Sequence, residues 1–255
     1  MLKLLKYSLY NILRTRFTLL YFGFLLLATF AIYSLDHDLA RVSLSLLNVV
    51  LLVVPLICIV FATVHFYNSY EFIELMLAQP VNRTTVFMSQ ILAVGISLSL
   101  AFMGGIGIPM LIYGGEASMI YLLFVGVMLS LVFTGLAYLA SVMTRDKAKA
   151  IGITLLFWVF FSLIYDGLVL FMIYVFYDYP LENATLAMVM LNPVDLARVI
   201  MLMQLDVSAL MGFTGAFFQN FFGSIRGTLI SSGVLLLWIL IPVYFALRVF
   251  KRKDL

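Results

Sequence analysis

Long apolar runs alternate with short polar segments along this chain of 255 residues. Five of the runs contain no charged residue, and a sixth is interrupted once, by Asp166. Each run is longer than the roughly 18 residues that an α-helix needs to cross a bilayer. The pattern therefore predicts six transmembrane helices. They lie at about 17–35, 42–64, 86–113, 119–143, 150–177 and 227–248.

The composition agrees with a chain that is surrounded largely by lipid. Hydrophobic residues make up 65% of it and charged residues only 11%, and a water-soluble domain of this length could not bury so much apolar surface. Cys58 is the only cysteine, which excludes an intrachain disulfide framework. The predicted fold class is an all-α polytopic membrane protein with a single transmembrane domain over 1–255.

The basic residues predict the orientation of these spans. With six spans, 12 of the 15 Lys and Arg residues fall on one side of the membrane. Because basic loops remain in the cytosol, both termini are predicted to be cytosolic, and 178–226 is predicted to be external. A further uncharged run at 207–225 is not counted as a span, because a seventh span would place the basic C-terminal cluster outside. The predicted inner segments are 1–16, 65–83, 145–149 and 248–255.

The segment before the first span predicts a helix that lies in the inner membrane interface. Lys3, Lys6, Tyr10 and Arg14 share one helical face, and leucine and isoleucine side chains occupy the other. Two roles remain open for this amphipathic helix: an anchor that fixes the topology, or a collar around a partner.

A second short helix is predicted at the inner border, after span two. Asn68 and Ser69 can cap its start, and Pro80 can end it. Glu71 and Glu74 share one face, and apolar side chains form another. This segment is either a surface that a protein outside the bilayer can grip or a simple turn between two spans. The basic turn of Arg145, Lys147 and Lys149 is either a second cytosolic contact or a charge clamp that fixes the topology.

Asp166 is the one acidic residue inside a predicted span. A charge at membrane depth costs roughly 2.5–3.5 kcal/mol on insertion scales, so this carboxyl group is expected to face the bundle or be neutral. A proton or substrate relay is one hypothesis, but no basic residue or second acid lies within the predicted spans to continue it. We favour a hydrogen bond to a neighbouring Ser, Tyr or backbone group.

The external segment contains a helix signal and a group of methionines. Asn192 and Pro193 form a turn or helix start, and Asp195 follows near the positive end of the helix dipole. The apolar residues after it predict a helix on the outer membrane surface or against a partner. Thioether sulfur suits Cu(I), although core packing is the favoured role of these side chains. The methionines concerned are Met188, Met190, Met201 and Met203.

Span three contains a cluster of helix-perturbing residues, namely Gly104, Gly105, Gly107 and Pro109. These residues permit either close helix packing or a broken helix.

Enzyme chemistry finds little support in this sequence. It contains no HExxH, CxxC, GxSxG or Walker motif, so no catalytic residue and no cofactor of its own are predicted. A secondary transporter would require internal repeats and discontinuous helices around an ion site. A membrane scaffold without transport is a further alternative.

The order of these elements resembles the permease subunits of the type-2 ABC exporters: an interfacial helix, six spans, an acidic helix after span two and an external insertion before the last span. The resemblance implies that the segment after span two is the coupling helix, which docks on a separate ATPase that binds ATP and Mg²⁺. Carried over by position, its coupling residues are Tyr70, Glu71, Glu74, Leu75, Leu77, Pro80 and Arg83.

Segments 145–150, 155–170 and 191–198 resemble more closely the permeases of the Nos system, which matures the copper sites of nitrous oxide reductase. That resemblance implies a homodimer in the cytoplasmic membrane, a NosF-like cytosolic ABC ATPase, a NosD-like periplasmic β-helix protein and a NosL-like copper chaperone, with no nucleic-acid partner. The alternative is a type-2 permease that exports a drug, lipid or peptide. The external partner contact is expected at Asn192, Pro193, Asp195 and Arg198.

Overall fold

The computed structural model describes residues 2–36, 38–114, 117–176, 179, 181–204 and 225–252. Every regular element within these ranges is helical. The helices are α1 (Leu2–Leu13), α2 (Arg16–Leu35), α3 (Leu39–Asn68), α4 (Tyr70–Leu77), α5 (Arg83–Tyr113), α6 (Ala117–Met143), α7 (Lys147–Val159), a π-helical turn (Phe160–Ile164), α8 (Tyr165–Val175), α9 (Glu182–Leu191), α10 (Pro193–Leu202) and α11 (Ile225–Arg252).

Six helices among the described residues are long and apolar enough to cross a membrane. They are α2, α3, α5, α6, the continuous α7–π–α8 rod and α11. This confirms the predicted all-α polytopic class. A bent pair, α9 and α10, adds a feature that the six-span pattern did not predict. The helix axis bends by 114° between the two, and together they have the length and composition of a broken span or a re-entrant loop. The run at 207–225 lies outside the described residues except for Ile225.

Helix α6 forms the centre of the bundle. It packs against α3, α5, α10 and α11, while α5 also contacts α1 and α2. Large side chains of α6 are fully buried in these contacts, among them Phe133 and Tyr138. Hydroxyl groups on α6 donate to the carbonyl of the preceding turn, as Ser141 does to Ala137 at 2.7 Å. Such internal bonds satisfy polar groups where water is absent.

Two glycines set the distance between α2 and α5. An added Cβ at Gly104 would lie 2.8 Å from the Phe22 ring, and one at Gly105 would lie 2.7 Å from Leu25 Cβ. Helix α5 nevertheless runs without interruption from Arg83 to Tyr113, with Pro109 inside it. Of the two alternatives that the glycine cluster left open, the structure therefore has close packing and not a broken helix.

The ends of α4 differ from those that the sequence predicted. Asn68 is still part of α3, and the Ser69 side chain makes no capping hydrogen bond to α4. Instead the Ser69 backbone N–H donates to the His65 carbonyl at 2.9 Å, so the chain passes from α3 into α4 almost without a break. Helix α4 ends at Leu77, before Pro80 is reached. Ser69 is the N-cap residue by position but lacks the side-chain hydrogen bond that the prediction implied, and Asn68 takes no part in the cap. Pro80 lies two residues beyond the C-cap residue Ala78, a position at which proline prevents a helix from continuing.

The helix after Pro193 forms as predicted, but its position is different. Most side chains of α10 are buried, and the helix packs against α3, α6 and α11. Asn192 caps it, with Oδ1 accepting from the Val194 N–H at 3.0 Å. The expectation of a helix on the outer membrane surface was wrong, because the apolar residues of α10 contact the bundle interior.

Replacement of Gly105 by alanine should destabilise the protein. The new methyl group would lie 2.7 Å from Leu25 Cβ and 3.2 Å from the Phe22 carbonyl oxygen, so α2 must move away, at a cost of about 1–3 kcal/mol for overpacking. The thermal midpoint of the purified protein measures this change. Gly23→Ala is the control, because an added Cβ there meets nothing within 4 Å. A Gly105→Ala midpoint equal to that of the control would contradict this role.

Candidate functional site

Helix α4 presents a charged surface at one end of the bundle, which we call the α4 end. The Ile73 side chain of α4 is only 2% exposed and packs in the core. Glu71, Glu74 and Leu75 point outward and are exposed. Tyr7 of α1 stacks on Phe72, with ring centroids 6.3 Å apart. The helix is therefore held by an apolar anchor on one side and leaves two carboxylates free to meet another molecule on the other.

The basic turn before α7 lies beside this surface. Lys147 Nζ donates to Asn68 Oδ1 at 2.9 Å, which ties the turn to the junction of α3 and α4. Asp146 caps α7 and accepts from the backbone N–H groups of Lys149 and Ala148, and these bonds lower the pKa of its carboxyl group. Arg145, Lys147 and Lys149 are exposed. The structure thus brings both predicted cytosolic contacts to the α4 end.

The remaining positions carried over from the coupling-helix pattern also lie at this end. Pro80 and Arg83 are exposed, while Tyr70 and Leu77 are half-buried and pack against the core. Arg83 Nη1 donates to the Lys251 carbonyl at 3.5 Å, which joins the start of α5 to the end of α11. Acidic and basic side chains are therefore exposed at the same end of the bundle, where they can meet complementary charges on a protein partner.

A second polar site lies at the π-helical turn, midway along the α7–π–α8 rod. Arg198 Nη1 donates to Asp166 Oδ2 at 3.0 Å and to Asp195 Oδ1 at 3.1 Å. Asn192 Nδ2 donates to Asp195 Oδ2 at 2.8 Å. We call these four residues the Arg198 network. It joins α8 to α10 across 32 residues of sequence.

The Arg198 network was only partly foreseen. Asp166 faces the bundle, as expected, but its partner is a guanidinium and not a hydroxyl or backbone group. No basic residue or second acid was found within the predicted spans, but α10, which lies in the segment predicted to be external, folds back and brings both Arg198 and Asp195 to Asp166. A signal was present in the sequence: an acid at membrane depth requires a partner, and Arg198 lies in an apolar amphipathic helix.

Side chains form hydrogen bonds to backbone carbonyl groups around the break between α9 and α10. Asn192 is fully buried and its Nδ2 donates to the Phe161 carbonyl at 2.9 Å. The Tyr165 hydroxyl donates to the Met188 carbonyl at 2.8 Å, and Trp238 Nε1 donates to the Met190 carbonyl at 3.3 Å. These bonds replace those that a continuous helix would make.

Burial restricts two of the predicted roles in this region. Of the four residues predicted for an external partner contact, Asn192, Pro193 and Asp195 are buried within the chain, and Arg198 is 35% exposed. Met201 and Met203 belong to the apolar core, and Met190 packs against it. These three side chains therefore have the core-packing role that the sequence analysis favoured. Across the described ranges, no group of three His, Cys, Asp or Glu residues is placed to hold a metal ion.

Two cavities flank Arg198. One, of about 300 Å³, lies between Asp166, Asp195 and apolar side chains of α8 and α10. The other, of about 250 Å³, is lined by Asn48, Ser162 and leucines of α3. With both carboxylates ionised, the three charged groups sum to one negative charge. The site can therefore hold a proton or a hydrogen-bonding solute, but it contains no activated nucleophile.

Comparisons with known proteins show the family of this chain. The chain is 28% identical over 233 residues to the protein named "Probable ABC transporter permease protein NosY" from Stutzerimonas stutzeri, and the match covers 82% of this chain and 79% of that protein. A family model described as "ABC-2 family transporter protein" matches residues 49–255, which is more than half of the chain. The chain belongs to the ABC-2 family of transporter proteins.

Proposed function

We propose that α4 is the coupling helix through which a separate cytosolic ATPase moves this permease. The observation behind the proposal is the two-sided character of α4: Ile73 fixes it in the core, while Glu71 and Glu74 remain exposed. A chain of the ABC-2 family is a membrane component of a transporter. The partner binds ATP and Mg²⁺, and this chain receives the resulting displacement.

The connections of α4 explain how a displacement would spread. The helix joins the end of α3 to the start of α5, so a push on it acts on two spans at once. The Lys147–Asn68 bond links the same junction to the start of α7. A second contact of the ATPase at Arg145, Lys147 and Lys149 would therefore act on the rod that leads to the π-helical turn.

At the far end of that path, the Arg198 network joins α8 to the bent pair. A shift of the rod changes the geometry of the Asp166–Arg198 bond and so biases the position of α10. Two arrangements of packed helices, with ATP favouring one, are sufficient to couple the two sites energetically. In this proposal the bent pair either transmits force to an outside partner or opens a path for a solute.

We further propose that the physiological role is assembly of the copper sites of nitrous oxide reductase. The support is the similarity to the protein named NosY over most of the chain, together with the resemblance that segments 145–150, 155–170 and 191–198 bear to permeases of the Nos system. The partners would be a NosF-like ATPase, a NosD-like periplasmic protein, a NosL-like copper chaperone and a second copy of this chain. Both termini would be cytosolic, as the distribution of basic residues predicts.

Co-purification in mild detergent tests these assignments. A NosF-like ATPase together with a NosD-like β-helix protein is the result expected for the Nos role. An ATPase recovered with a periplasmic partner of another kind would contradict that role and leave the coupling role of α4 intact. Recovery of the intact chain with no ATP-hydrolysing subunit would contradict both the Nos role and the coupling role of α4.

Charge reversal on α4 should uncouple the ATPase. Glu71→Lys and Glu74→Lys, alone and combined, replace carboxylates by cations at a surface that is complementary to the ATPase. We expect that stimulation of ATP hydrolysis in the reconstituted complex then requires roughly tenfold more ATPase subunit. Folding should not change, because both side chains are exposed. Asp36→Lys, an acid at the opposite end of the bundle, is the control. Unchanged stimulation by the double variant would remove the coupling role from α4.

Loss of Arg198 should be more damaging than loss of Asp166. Arg198→Gln leaves two carboxylates without their shared cation, whereas Asp166→Asn leaves Arg198 paired with Asp195. We expect the thermal midpoint to fall further for Arg198→Gln, by the equivalent of about 1–2 kcal/mol. This is less than for a fully buried pair, because the Arg198 and Asp166 side chains are about one-third exposed, although that of Asp195 is only 9% exposed.

Arg41 supplies a matched control for the Arg198 variants. It also pairs with two aspartates, Asp36 and Asp38, but its side chain is 73% exposed. Solvent screens such a pair, so Arg41→Gln should change the midpoint little. Equal effects of Arg41→Gln and Arg198→Gln would show that the Arg198 network does not hold α10 to α8.

A further inference from the structure

The hydroxyl group of Tyr67 joins the end of α3 to the end of α6. It lies 2.8 Å from Thr144 Oγ1 and 3.3 Å from the carbonyl oxygens of Ser141 and Thr144. Helix α6 ends at Met143, so these acceptors belong to its last turn or to the residue directly after it. One phenol of α3 therefore contacts the end of the helix that forms the centre of the bundle.

The hydrogen bonds at this contact have one direction. Thr144 Oγ1 donates to the Ala140 carbonyl at 3.0 Å, and a threonine hydroxyl has only one proton to donate. Thr144 Oγ1 therefore accepts from Tyr67, and the Tyr67 hydroxyl is the donor. Phenylalanine at position 67 would remove this donor and keep the ring.

The last carbonyl groups of α6 depend on partners from outside the helix. An α-helix leaves its last four carbonyls without an intrahelical N–H group, here those of residues 140–143. The Thr144 hydroxyl donates to the Ala140 carbonyl, and the Tyr67 hydroxyl lies within reach of the Ser141 carbonyl. Tyr67 thus takes part in capping a helix to which it does not belong.

Two consecutive residues of α3 hold the turn between α6 and α7. Only residues 144–146 separate these two helices. Tyr67 contacts the first residue of the turn, and Asn68 accepts from Lys147 Nζ, directly after it, at 2.9 Å. We call these two contacts the α3 clamp. The Asn68 contact is exposed, so water competes for it, whereas the Tyr67 contact is partly buried. Tyr67 is therefore the stronger half of the clamp.

Apolar packing beside the clamp keeps α3 and α6 together without this hydroxyl. Phe66 is only 3% exposed and packs edge-on against Tyr138 of α6, with ring centroids 5.5 Å apart. The Tyr67 ring packs edge-on against Phe66 at 5.6 Å. Loss of the hydroxyl alone therefore removes a directional bond between the helices and preserves their apolar contact.

Given the coupling role proposed for α4, we propose that Tyr67 is a positioning residue that transmits a displacement of α4 to α6 and α7. Tyr67 lies three residues before the start of α4, so a movement of α4 carries its hydroxyl and, through it, the turn at 144–146. That turn begins the rod that leads to the Arg198 network. Coupling between distant sites requires an element whose two arrangements both sites bias, and the α3 clamp with the turn that it holds is this element.

A spin label at the bent pair measures the transmission. Leu191, the last residue of α9, is 62% exposed, and Cys58 is buried, so Leu191→Cys can be labelled selectively with a nitroxide. This labelled chain, the parent protein, is assembled with the ATPase subunit that co-purifies with it. Spectra are recorded with and without a non-hydrolysable ATP analogue and Mg²⁺. We expect the nucleotide to shift the label between two states, and Tyr67→Phe to reduce the shift in their equilibrium constant about fivefold, the effect of one hydrogen bond.

A purely structural role of Tyr67 predicts a different result, in which Tyr67→Phe lowers the thermal midpoint but keeps the nucleotide response of the parent protein. Tyr33→Phe is the matched control. It also removes a phenol hydroxyl that joins two spans, since Tyr33 of α2 donates to Met119 Sδ of α6 at 2.8 Å, and it should leave the response unchanged. Neither tyrosine belongs to α4, so the affinity for the ATPase subunit should be equal in both variants and the parent protein.

Substitutions of Thr144 provide a second measurement. Thr144→Ser keeps the hydroxyl that accepts from Tyr67 and should keep the parent response, whereas Thr144→Val removes it and should match Tyr67→Phe. The double variant should lose no more than either single variant, because both remove the same contact. A parent-sized response in Tyr67→Phe would overturn the role of Tyr67 and leave the coupling role of α4 intact. A parent protein whose label does not respond to nucleotide while the ATPase is bound would overturn the proposed transmission to the bent pair, and the role of Tyr67 with it.

Discussion

Backbone polar groups inside a membrane bundle must find their partners within the protein, and the structure depends on how this chain meets that constraint. The break between α9 and α10 is possible because Asn192 donates to the Phe161 carbonyl, and Tyr165 and Trp238 donate to carbonyls of α9. Arg198 then holds two aspartates between α8 and α10. The same helices that supply these partners are those that must move if the bent pair is to respond to events at the other end of the bundle.

The two ends of the bundle are joined by one continuous rod. It begins at the basic turn, where Lys147 contacts the α3–α4 junction, and it reaches Asp166 just beyond the π-helical turn. A π-helical turn contains a wider ring than an α-helix and is often found at functional positions. Here it exposes the Phe161 carbonyl to Asn192. In the proposed mechanism a change in the rod reaches the bent pair through three polar contacts: the hydrogen bonds of Asn192 and Tyr165 and the Asp166–Arg198 ion pair.

Hydropathy and charge predicted the number of membrane-competent helices because these depend on local composition. The glycine cluster permitted either close packing or a broken helix, and the approach of Gly105 to Leu25 decides for close packing. The position of α10 could not be predicted in this way, since an apolar helix with a polar start fits a membrane surface and a bundle interior equally well. The pairing of Asp166 with Arg198 depends on that position, as does the burial of Asn192. The start of α4 at Ser69 was predicted, but the absence of a side-chain capping bond was not, because the backbone of Ser69 continues from α3.

The most direct test of the account is to locate the ATP-hydrolysing subunit on this chain by cross-linking. Cys58 is buried, so a cysteine introduced at an exposed site can be labelled selectively. Leu75→Cys places the label on α4, and Leu35→Cys places it at the opposite end of the bundle; both leucines are exposed. The account predicts a cross-link from position 75 to a subunit that binds ATP and none from position 35. A cross-link from position 35 alone would contradict it.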